Sequence, residues 1–174
     1  MRVCFAADDL RASREMMRTW FSMLDYECKT FSGGTDTWEA ILESPPDLVV
    51  ADIEMPRGSG LDLLSAIRNH SDVQIRTLPV IMISGLVDAE IARIAEDFKA
   101  TCLLPKPLDM KQFEEVIDQI ESQREWRSNT VFESAFPIQV ATLKIARPSA
   151  MPAVSPKLRR MARRIQESGS QLSP

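Results

Sequence analysis

Short apolar runs alternate along the chain with longer segments in which apolar residues recur three and four positions apart. The short runs have the length and continuous apolar character of buried β-strands, and the longer segments have the spacing of amphipathic helices. Strands are predicted near residues 2–7, 27–31, 47–52, 79–83 and 101–104. Helices are predicted near residues 11–24, 36–43, 61–67, 87–99 and 109–126.

Strands that are apolar on both faces and joined by helices form parallel sheets covered on both sides. The pattern therefore predicts a doubly wound α/β domain of about 125 residues. Right-handed crossovers place the carboxyl end of every strand at one edge of such a sheet, and ligands bind at that edge.

The composition is that of an ordinary globular protein, with 44% hydrophobic and 26% charged residues in a chain of 174. It excludes a wholly disordered or collagen-like chain. No apolar run approaches the ~18–20 residues of a membrane helix, and Asp8 and Asp9 interrupt the first run too early for a signal peptide. We therefore expect no membrane span and a cytoplasmic location.

The charge is divided unevenly along the chain. Residues 1–127 carry 14 Lys and Arg against 23 Asp and Glu, a net charge of −9, whereas residues 128–174 carry 7 against 2, a net charge of +5. This predicts an acidic domain over 1–127 and a basic, Pro- and Ser-containing extension over 128–174, mostly disordered with a short helix near 156–167. A single helix does not make a helix-turn-helix, so DNA binding is not expected. A solvated tail, docking onto the acidic domain, and binding to a partner protein or an anionic surface all remain open.

Cys4, Cys28 and Cys102 are widely spaced, odd in number and without a Cys-x-x-Cys motif. Each lies in a predicted strand, which favours buried, reduced thiols over a metal site or a disulfide. His70, the only histidine, lies in a polar stretch and is predicted to be a solvated loop residue.

Polar residues stand where the predicted strands end. They are Asp8, Asp9, Asp52, Ser84 and Lys106. Three carboxylates at one sheet edge would repel one another, and Mg²⁺ would relieve that repulsion because it prefers oxygen ligands. With Lys106 and Ser84, the ion would hold and neutralise a phosphoryl group during transfer. Asp52, which ends a central strand and is exposed by the loop that follows, is the better candidate nucleophile.

Each of these residues taken alone also has an ordinary structural interpretation. Asp8 and Asp9 could cap the first helix, Asp52 could begin a turn, and Lys106 could be solvated. The functional interpretation depends on all five residues meeting at one edge.

Together with their flanking motifs, these residues strongly resemble the receiver domain of two-component response regulators over about residues 1–125. The motifs are Asp8-Asp9, Asp52-Ile53-Glu54-Met55-Pro56 with Gly60-Leu61, Ser84-Gly85 and Lys106-Pro107. The resemblance implies a flavodoxin-like, five-stranded parallel sheet in the order 2-1-3-4-5, with helices on both faces.

By this resemblance, Asp52 would accept a phosphoryl group from a phosphohistidine on a sensor histidine kinase or a histidine phosphotransfer protein. Asp9, Asp52 and the backbone carbonyl of Glu54 would bind Mg²⁺, and Asp8 would act largely through water. The domain would not be an enzyme beyond Mg²⁺-dependent self-phosphorylation from small donors and self-dephosphorylation.

The resemblance also implies that Ser84 bonds a phosphoryl oxygen, that Lys106 pairs with the phosphoryl group, and that the Lys106-Pro107 peptide is cis. One position departs from the family. Leu103 stands three residues before the lysine, where the family usually has Tyr or Phe, whose rotamer reports phosphorylation. The usual coupling between hydroxyl and aromatic ring cannot operate here. Ser84 replaces the commoner Thr but keeps the hydroxyl.

We expect signalling through a downstream protein that binds the surface of the fourth and fifth predicted helices. Two other classes of function remain open. Leu103 allows a constitutive, receiver-like interaction module that does not switch. An aspartyl-phosphate phosphatase fits poorly, because such enzymes usually carry the nucleophile in Asp-x-Asp on the first strand, and here that strand ends in Asp8-Asp9.

Overall fold

The computed structural model describes residues 1–129, with side chains through residue 124. The strands are β1 (Arg2–Ala7), β2 (Tyr26–Phe31), β3 (Leu48–Asp52), β4 (Val80–Ser84) and β5 (Cys102–Pro105). The helices are α1 (Arg11–Met23), α2 (Gly34–Glu43), α3 (Gly60–Arg68), α4 (Val73–Arg76), α5 (Ala89–Asp97) and α6 (Met110–Asn129).

The five strands form one parallel sheet in the order β2-β1-β3-β4-β5. Every residue of β3 and β4 is buried, because these strands are central and helices cover both of their faces. The prediction of a doubly wound, flavodoxin-like domain is confirmed.

Alternate residues of the strands feed two hydrophobic cores on opposite faces of the sheet. In β1, Phe5 belongs to the core that includes residues of α2, α3, α4 and α5, whereas Cys4 and Ala6 belong to the core that includes residues of α1 and α6. The three cysteines are free and lie in strands, as predicted, although Cys28 is only half-buried.

The helix α4 was missed by the sequence pattern, which predicted five helices where the described residues form six. Its four residues are too few to show a helical period, and it begins after Asp72, whose carboxylate accepts from the Gln74 amide at 2.8 Å. The predicted fourth and fifth helices therefore correspond to α5 and α6. The helix α6 continues to Asn129, and the predicted extension beyond it, including the helix near 156–167, lies outside the described residues.

The carboxyl-terminal half of α6 is fastened to the starts of β1, β2 and β3. Arg124 donates to the Asp47 carboxylate at 2.8 Å and to the Asp47 carbonyl at 3.1 Å. Glu121 pairs with Arg2 and accepts a hydrogen bond from the Tyr26 hydroxyl. The helix therefore returns from the carboxyl edge of the sheet to its amino edge. Within residues 1–129, no helix has both the length and the apolar character needed to cross a membrane.

Arg68, at the end of α3, holds three backbone segments together. Its guanidinium donates to the carbonyl oxygens of Lys99, Arg76 and Leu78, at 2.9, 3.0 and 2.8 Å. Burial lowers the pKa of Arg68 to about 10, which still leaves the group charged at neutral pH. Its charged N–H donors thus bind the end of α3 to the segment 76–78 and to Lys99.

Candidate functional site

Four of the five strands place a polar residue at the carboxyl edge of the sheet. Asp8 follows β1, Asp52 and Ser84 end β3 and β4, and Lys106 follows β5. These four strands are consecutive in the sheet, so the residues lie side by side although up to 98 positions separate them in sequence.

The Lys106 ammonium joins the two buried carboxylates of this edge. Its Nζ donates to Asp8 Oδ2 at 2.8 Å and to Asp52 Oδ2 at 2.7 Å. The Lys106 amide donates to the Ser84 carbonyl at 2.8 Å, and the Lys106-Pro107 peptide is cis, as the resemblance implied. One cation shared by two carboxylates thus sets the spacing of the acids.

Asp8 is fully buried, and both of its carboxylate oxygens are bound. Oδ1 accepts from the Leu10 amide at 2.9 Å, and Oδ2 accepts from Lys106. The helix α1 begins at Arg11 with Leu10 at its N-cap, and no side chain caps it. The alternative interpretation, that Asp8 and Asp9 cap the first helix, is therefore wrong.

Asp52 is only 5% exposed, contrary to the expectation that the following loop exposes it. Burial is the largest influence and raises the pKa of Asp52 above the ordinary 3.8, helped by the negative charge of Asp8. The hydrogen bond and charge of Lys106 oppose this rise, as does the Glu54 amide 3.3 Å from Oδ1, but they do not cancel it.

For Lys106, in contrast to Asp52, the partner charges outweigh burial in setting the pKa. Burial acts to lower the pKa of Lys106, but the hydrogen bonds and charges of Asp52 and Asp8 outweigh burial and raise it. The two directions are compatible, because one lysine is bonded to two carboxylates while each carboxylate has only a share of one lysine. The cluster is short of positive charge.

Asp8, Asp9 and Asp52 meet the requirements of a Mg²⁺ site. Each offers a carboxylate oxygen, and the three oxygens lie within 4.8 Å of one another. Oxygens around octahedral Mg²⁺ are about 3.0 Å apart when adjacent and about 4.2 Å apart when opposite, so a small contraction would suffice. Three carboxylates and one ammonium leave a local charge of −2, which a divalent cation balances. Asp9 is exposed and leaves room for the waters that Mg²⁺ retains.

The Ser84 hydroxyl is bonded within its own loop. Ser84 is buried, and its Oγ donates to the Leu86 carbonyl at 2.7 Å and accepts from the Leu86 amide at 3.1 Å. The structure thus brings Asp8, Asp52 and Lys106 into direct contact, whereas Ser84 lies on the neighbouring strand with its hydroxyl engaged elsewhere.

Glu54 and Leu103 complete the set of predicted positions. The Glu54 side chain is exposed in the loop after β3, and the part of its backbone that contacts the site is the amide bonded to Asp52. The role of the Glu54 carbonyl as a metal ligand stays a prediction. Leu103 is half-buried and packs against the core beside α5.

Two contacts of the site were not anticipated from the sequence. Arg14 Nη1 donates to the carbonyl oxygens of Asp8 and Asp9 at 2.7 and 3.0 Å, which braces the turn that carries both acids. A Cβ on Gly60 would lie 2.3 Å from the Asp52 carbonyl oxygen. No sequence signal marks Arg14, since an arginine in a first helical turn is usually solvated. Gly60 was noted only as part of a motif.

Known proteins resemble this chain in sequence. The family described as "Response regulator receiver domain" matches residues 4–118. The DNA-binding transcriptional regulator NtrC of Klebsiella pneumoniae is 28% identical over 117 residues, which are 67% of this chain and 24% of that protein. The regulator of RpoS of Escherichia coli K12 is 32% identical over 111 residues, which are 63% of this chain and 32% of that protein. The chain thus spans about a quarter to a third of the length of these relatives.

Solved structures agree on the fold. Chemotaxis protein CheY4 of Vibrio cholerae superimposes with a TM-score of 0.64 at 22% identity, covering 69% of this chain and 98% of that one. The receiver domain of the Francisella response regulator 1452 superimposes with a TM-score of 0.65 at 21% identity, covering 71% of this chain and 99% of that one. Since the family match covers well over half of the sequence, the chain belongs to the response regulator receiver domain family.

Proposed function

We propose that this protein accepts a phosphoryl group on Asp52 from the phosphohistidine of a sensor histidine kinase or a histidine phosphotransfer protein in the cytoplasm. It then signals through protein contacts that depend on phosphorylation. The observation that carries the proposal is the Lys106 ammonium, held between Asp8 and Asp52 at the carboxyl edge of a receiver-type sheet.

In the transfer, a carboxylate oxygen of Asp52 attacks phosphorus while the bond from phosphorus to the histidine nitrogen breaks. The histidine leaves as neutral imidazole when its other nitrogen already carries a proton. The distance of 2.7 Å between Lys106 Nζ and Asp52 Oδ2 supports a role for Lys106 in pairing with the phosphoryl oxygens. Asp9, Asp52 and the Glu54 carbonyl would hold Mg²⁺, with Asp8 acting largely through water, and the ion would supply further charge neutralisation.

The raised pKa of Asp52 bears on this chemistry, because only the ionised carboxylate is a nucleophile. A cation in the acidic cluster offsets the charge of Asp8 and favours the ionised form.

Ser84 links the site to the surface proposed for output. To donate to a phosphoryl oxygen on Asp52, the hydroxyl has to leave the Leu86 carbonyl, which removes a contact that holds the segment 84–86. That segment leads into α5, whose first turn is capped by Asp88 through the Glu90 and Ile91 amides at 3.0 and 2.9 Å. We propose the surface of α5 and α6 as the site of the downstream protein.

On this proposal the domain, residues 1–127, is a phosphoacceptor rather than an enzyme, apart from Mg²⁺-dependent self-phosphorylation and self-dephosphorylation. Residues 128–174, with their net charge of +5, form a separate basic extension that does not bind DNA specifically.

The test of phosphoacceptance is to incubate the full chain with Mg²⁺ and acetyl phosphate and to measure its intact mass. One added phosphoryl group is expected on wild type, and none on Asp52→Asn or on wild type kept in EDTA. Asp62→Asn is the matched control, because Asp62 caps α3 away from the acidic cluster, and it should label like wild type. An unlabelled wild type, or equal labelling of Asp52→Asn, would contradict the proposal.

Leu103 favours a second candidate function, a constitutive interaction module. The side chain is aliphatic and half-buried, so no aromatic ring is present at this position to change sides. Amide NMR spectra with and without beryllofluoride separate the two candidates. Chemical-shift changes confined to the residues of the acidic cluster would favour the constitutive module. Chemical-shift changes that extend through residues 84–97 in wild type, and are lost in Ser84→Ala, would favour the phosphorylation switch.

A further inference from the structure

Cys4 and Cys28 face each other across the outermost pair of strands. They are paired positions in the parallel ladder of β1 and β2. Cys4 belongs to the core that includes residues of α1 and α6, and Cys28 packs against the same core, so both side chains lie on one face of the sheet. Both thiols are free.

The spacing of such a pair suits a disulfide. Neighbouring strands lie about 4.8 Å apart, and the Cα atoms of disulfide-bonded cysteines are usually about 4.4–6.8 Å apart. Cys102 offers an internal contrast, because it lies on β5, three strand spacings or about 14 Å from β1.

The two thiols differ in accessibility. Cys4 is fully buried, whereas Cys28 is half-buried on the edge strand β2. Arg18 of α1 lies over this strand, where its guanidinium donates to Thr30 Oγ1 at 2.8 Å, two positions after Cys28. A small oxidant therefore reaches Cys28 first, beside a positive charge that favours its thiolate.

The pKa values of the two thiols also differ, and the more accessible thiol, Cys28, has the lower one. The neighbouring Cys4 thiol lowers the pKa of Cys28, and the charge of Arg18 adds to this against the effect of burial. Burial raises the pKa of Cys4, and its interaction with Cys28 raises it further. Burial likewise raises the pKa of Cys102 to about 11. The more exposed thiol is thus the nucleophile, since reactivity follows the thiolate.

We propose that Cys4 and Cys28 are a peroxide-sensitive thiol pair, with Cys28 as the attacking and Cys4 as the resolving cysteine. The Cys28 thiolate attacks one oxygen of hydrogen peroxide, the O–O bond breaks, and the released hydroxide takes a proton to leave as water. The Cys4 sulfur then attacks the sulfur of the Cys28 sulfenic acid, the S–O bond breaks, and a second water leaves with the Cys4 proton. Two thiols lose two electrons and one peroxide is reduced to two waters.

The test uses the reduced full chain, treated with hydrogen peroxide, quenched with catalase, unfolded and alkylated with N-ethylmaleimide. The intact mass should show three adducts before treatment and one after it, and dithiothreitol should restore three, since the chain has three free thiols. Trypsin should release residues 3–11 linked to residues 19–29. Met23, 68% exposed and inside the second peptide, reports by its sulfoxide that oxidant reached the protein.

Variants keep the outcome interpretable. Peroxide treatment should reduce the number of N-ethylmaleimide adducts on Cys102→Ser from two to none. The number on Cys28→Ser should stay at two. Three adducts on wild type in which Met23 is fully oxidised would overturn the proposal. So would a sulfinic acid on Cys28 without the linked peptides, or a link between two chains. Labelling of Asp52 by acetyl phosphate plays no part in this readout, so the proposal stands or fails independently of the proposed function.

Discussion

Gly60 is the position at which a single methyl group should test the construction of the site. It begins α3, and its amide donates to the Ile53 carbonyl at 3.2 Å, which closes the loop between β3 and α3. A Cβ there would lie 2.3 Å from the Asp52 carbonyl oxygen and 2.8 Å from Met82 Cε. The methionine tip can rotate away, but the carbonyl is part of the backbone that carries Asp52.

The expected cost follows from that distance. A comfortable contact of this kind is about 3.5 Å, so Gly60→Ala requires a backbone displacement of about 1 Å. Overpacking of this kind costs about 1–3 kcal/mol, and a rigid neighbour favours the upper value. Replacing glycine in a helix regains about 0.5–1 kcal/mol. The net expectation is a loss of about 2 kcal/mol in the free energy of unfolding, or about 6–10 °C in melting temperature for a domain of this size.

The same backbone displacement should also slow the labelling of Asp52 by acetyl phosphate. A shift of about 1 Å in the carbonyl of Asp52 would pull its carboxylate away from Lys106, whose Nζ lies at 2.7 Å. Misplacement of this size can slow reactions by about 100-fold, so labelling by acetyl phosphate should fall by about 10- to 100-fold.

Gly85→Ala is the matched control, because it follows Ser84 at the same sheet edge and its Cβ would meet nothing within 4 Å. It should be neutral or stabilising by up to about 1 kcal/mol and should label like wild type. Urea unfolding can be followed by tryptophan fluorescence, with Trp20 and Trp38 reporting the two cores. If Gly60→Ala is as stable as Gly85→Ala and is labelled at the wild-type rate, the close approach does not position Asp52 as argued.

Three further expectations concern charge. Lys106→Met should tighten Mg²⁺ binding by about fivefold, measured by calorimetry, because about 1 kcal/mol of repulsion between the two cations is removed. Labelling by acetyl phosphate should fall in the same variant. Weaker Mg²⁺ binding would refute this expectation. Arg68→Met should lower the free energy of unfolding in urea by about 2–3 kcal/mol, because three hydrogen bonds to backbone carbonyls are lost. The control is Arg57→Met, which should lower it by less than about 0.5 kcal/mol because the Arg57 side chain is 66% exposed. Equal losses in the two variants would contradict the bracing role of Arg68. Without Mg²⁺, wild type should gain stability relative to Asp52→Asn as the pH falls from 7 toward 3.8, because the folded carboxyl has the raised pKa and is protonated before the unfolded one. A constant difference across that range would show that the folded carboxyl titrates normally.

Most of the fold could be predicted because its central strands are unambiguous. The runs Leu48–Asp52 and Val80–Ser84 are apolar up to a final polar residue, as parallel strands covered on both faces must be. The helix α4 could not be predicted, because four residues show no period and its start depends on the local geometry of Asp72.

Within the site, the meeting of Asp8 and Lys106 could be anticipated because parallel topology forces strand ends together. The partners of single hydrogen bonds could not. Ser84 prefers the Leu86 carbonyl, and Arg14 reaches two backbone carbonyls, because of loop conformations that are decided by the packed fold and not by the residue types alone.

The return of α6 to the amino edge of the sheet separates the end of this helix from the edge that carries Asp52. On the proposed function, a phosphodonor approaches the edge that carries Asp52, while the Arg124–Asp47 pair anchors α6 at the other edge. β3 alone spans about 16 Å between these edges. The described end of α6 and the edge that carries Asp52 therefore lie at opposite ends of the sheet. A reporter or a second domain fused directly after residue 129 is expected to leave labelling of Asp52 by acetyl phosphate unhindered.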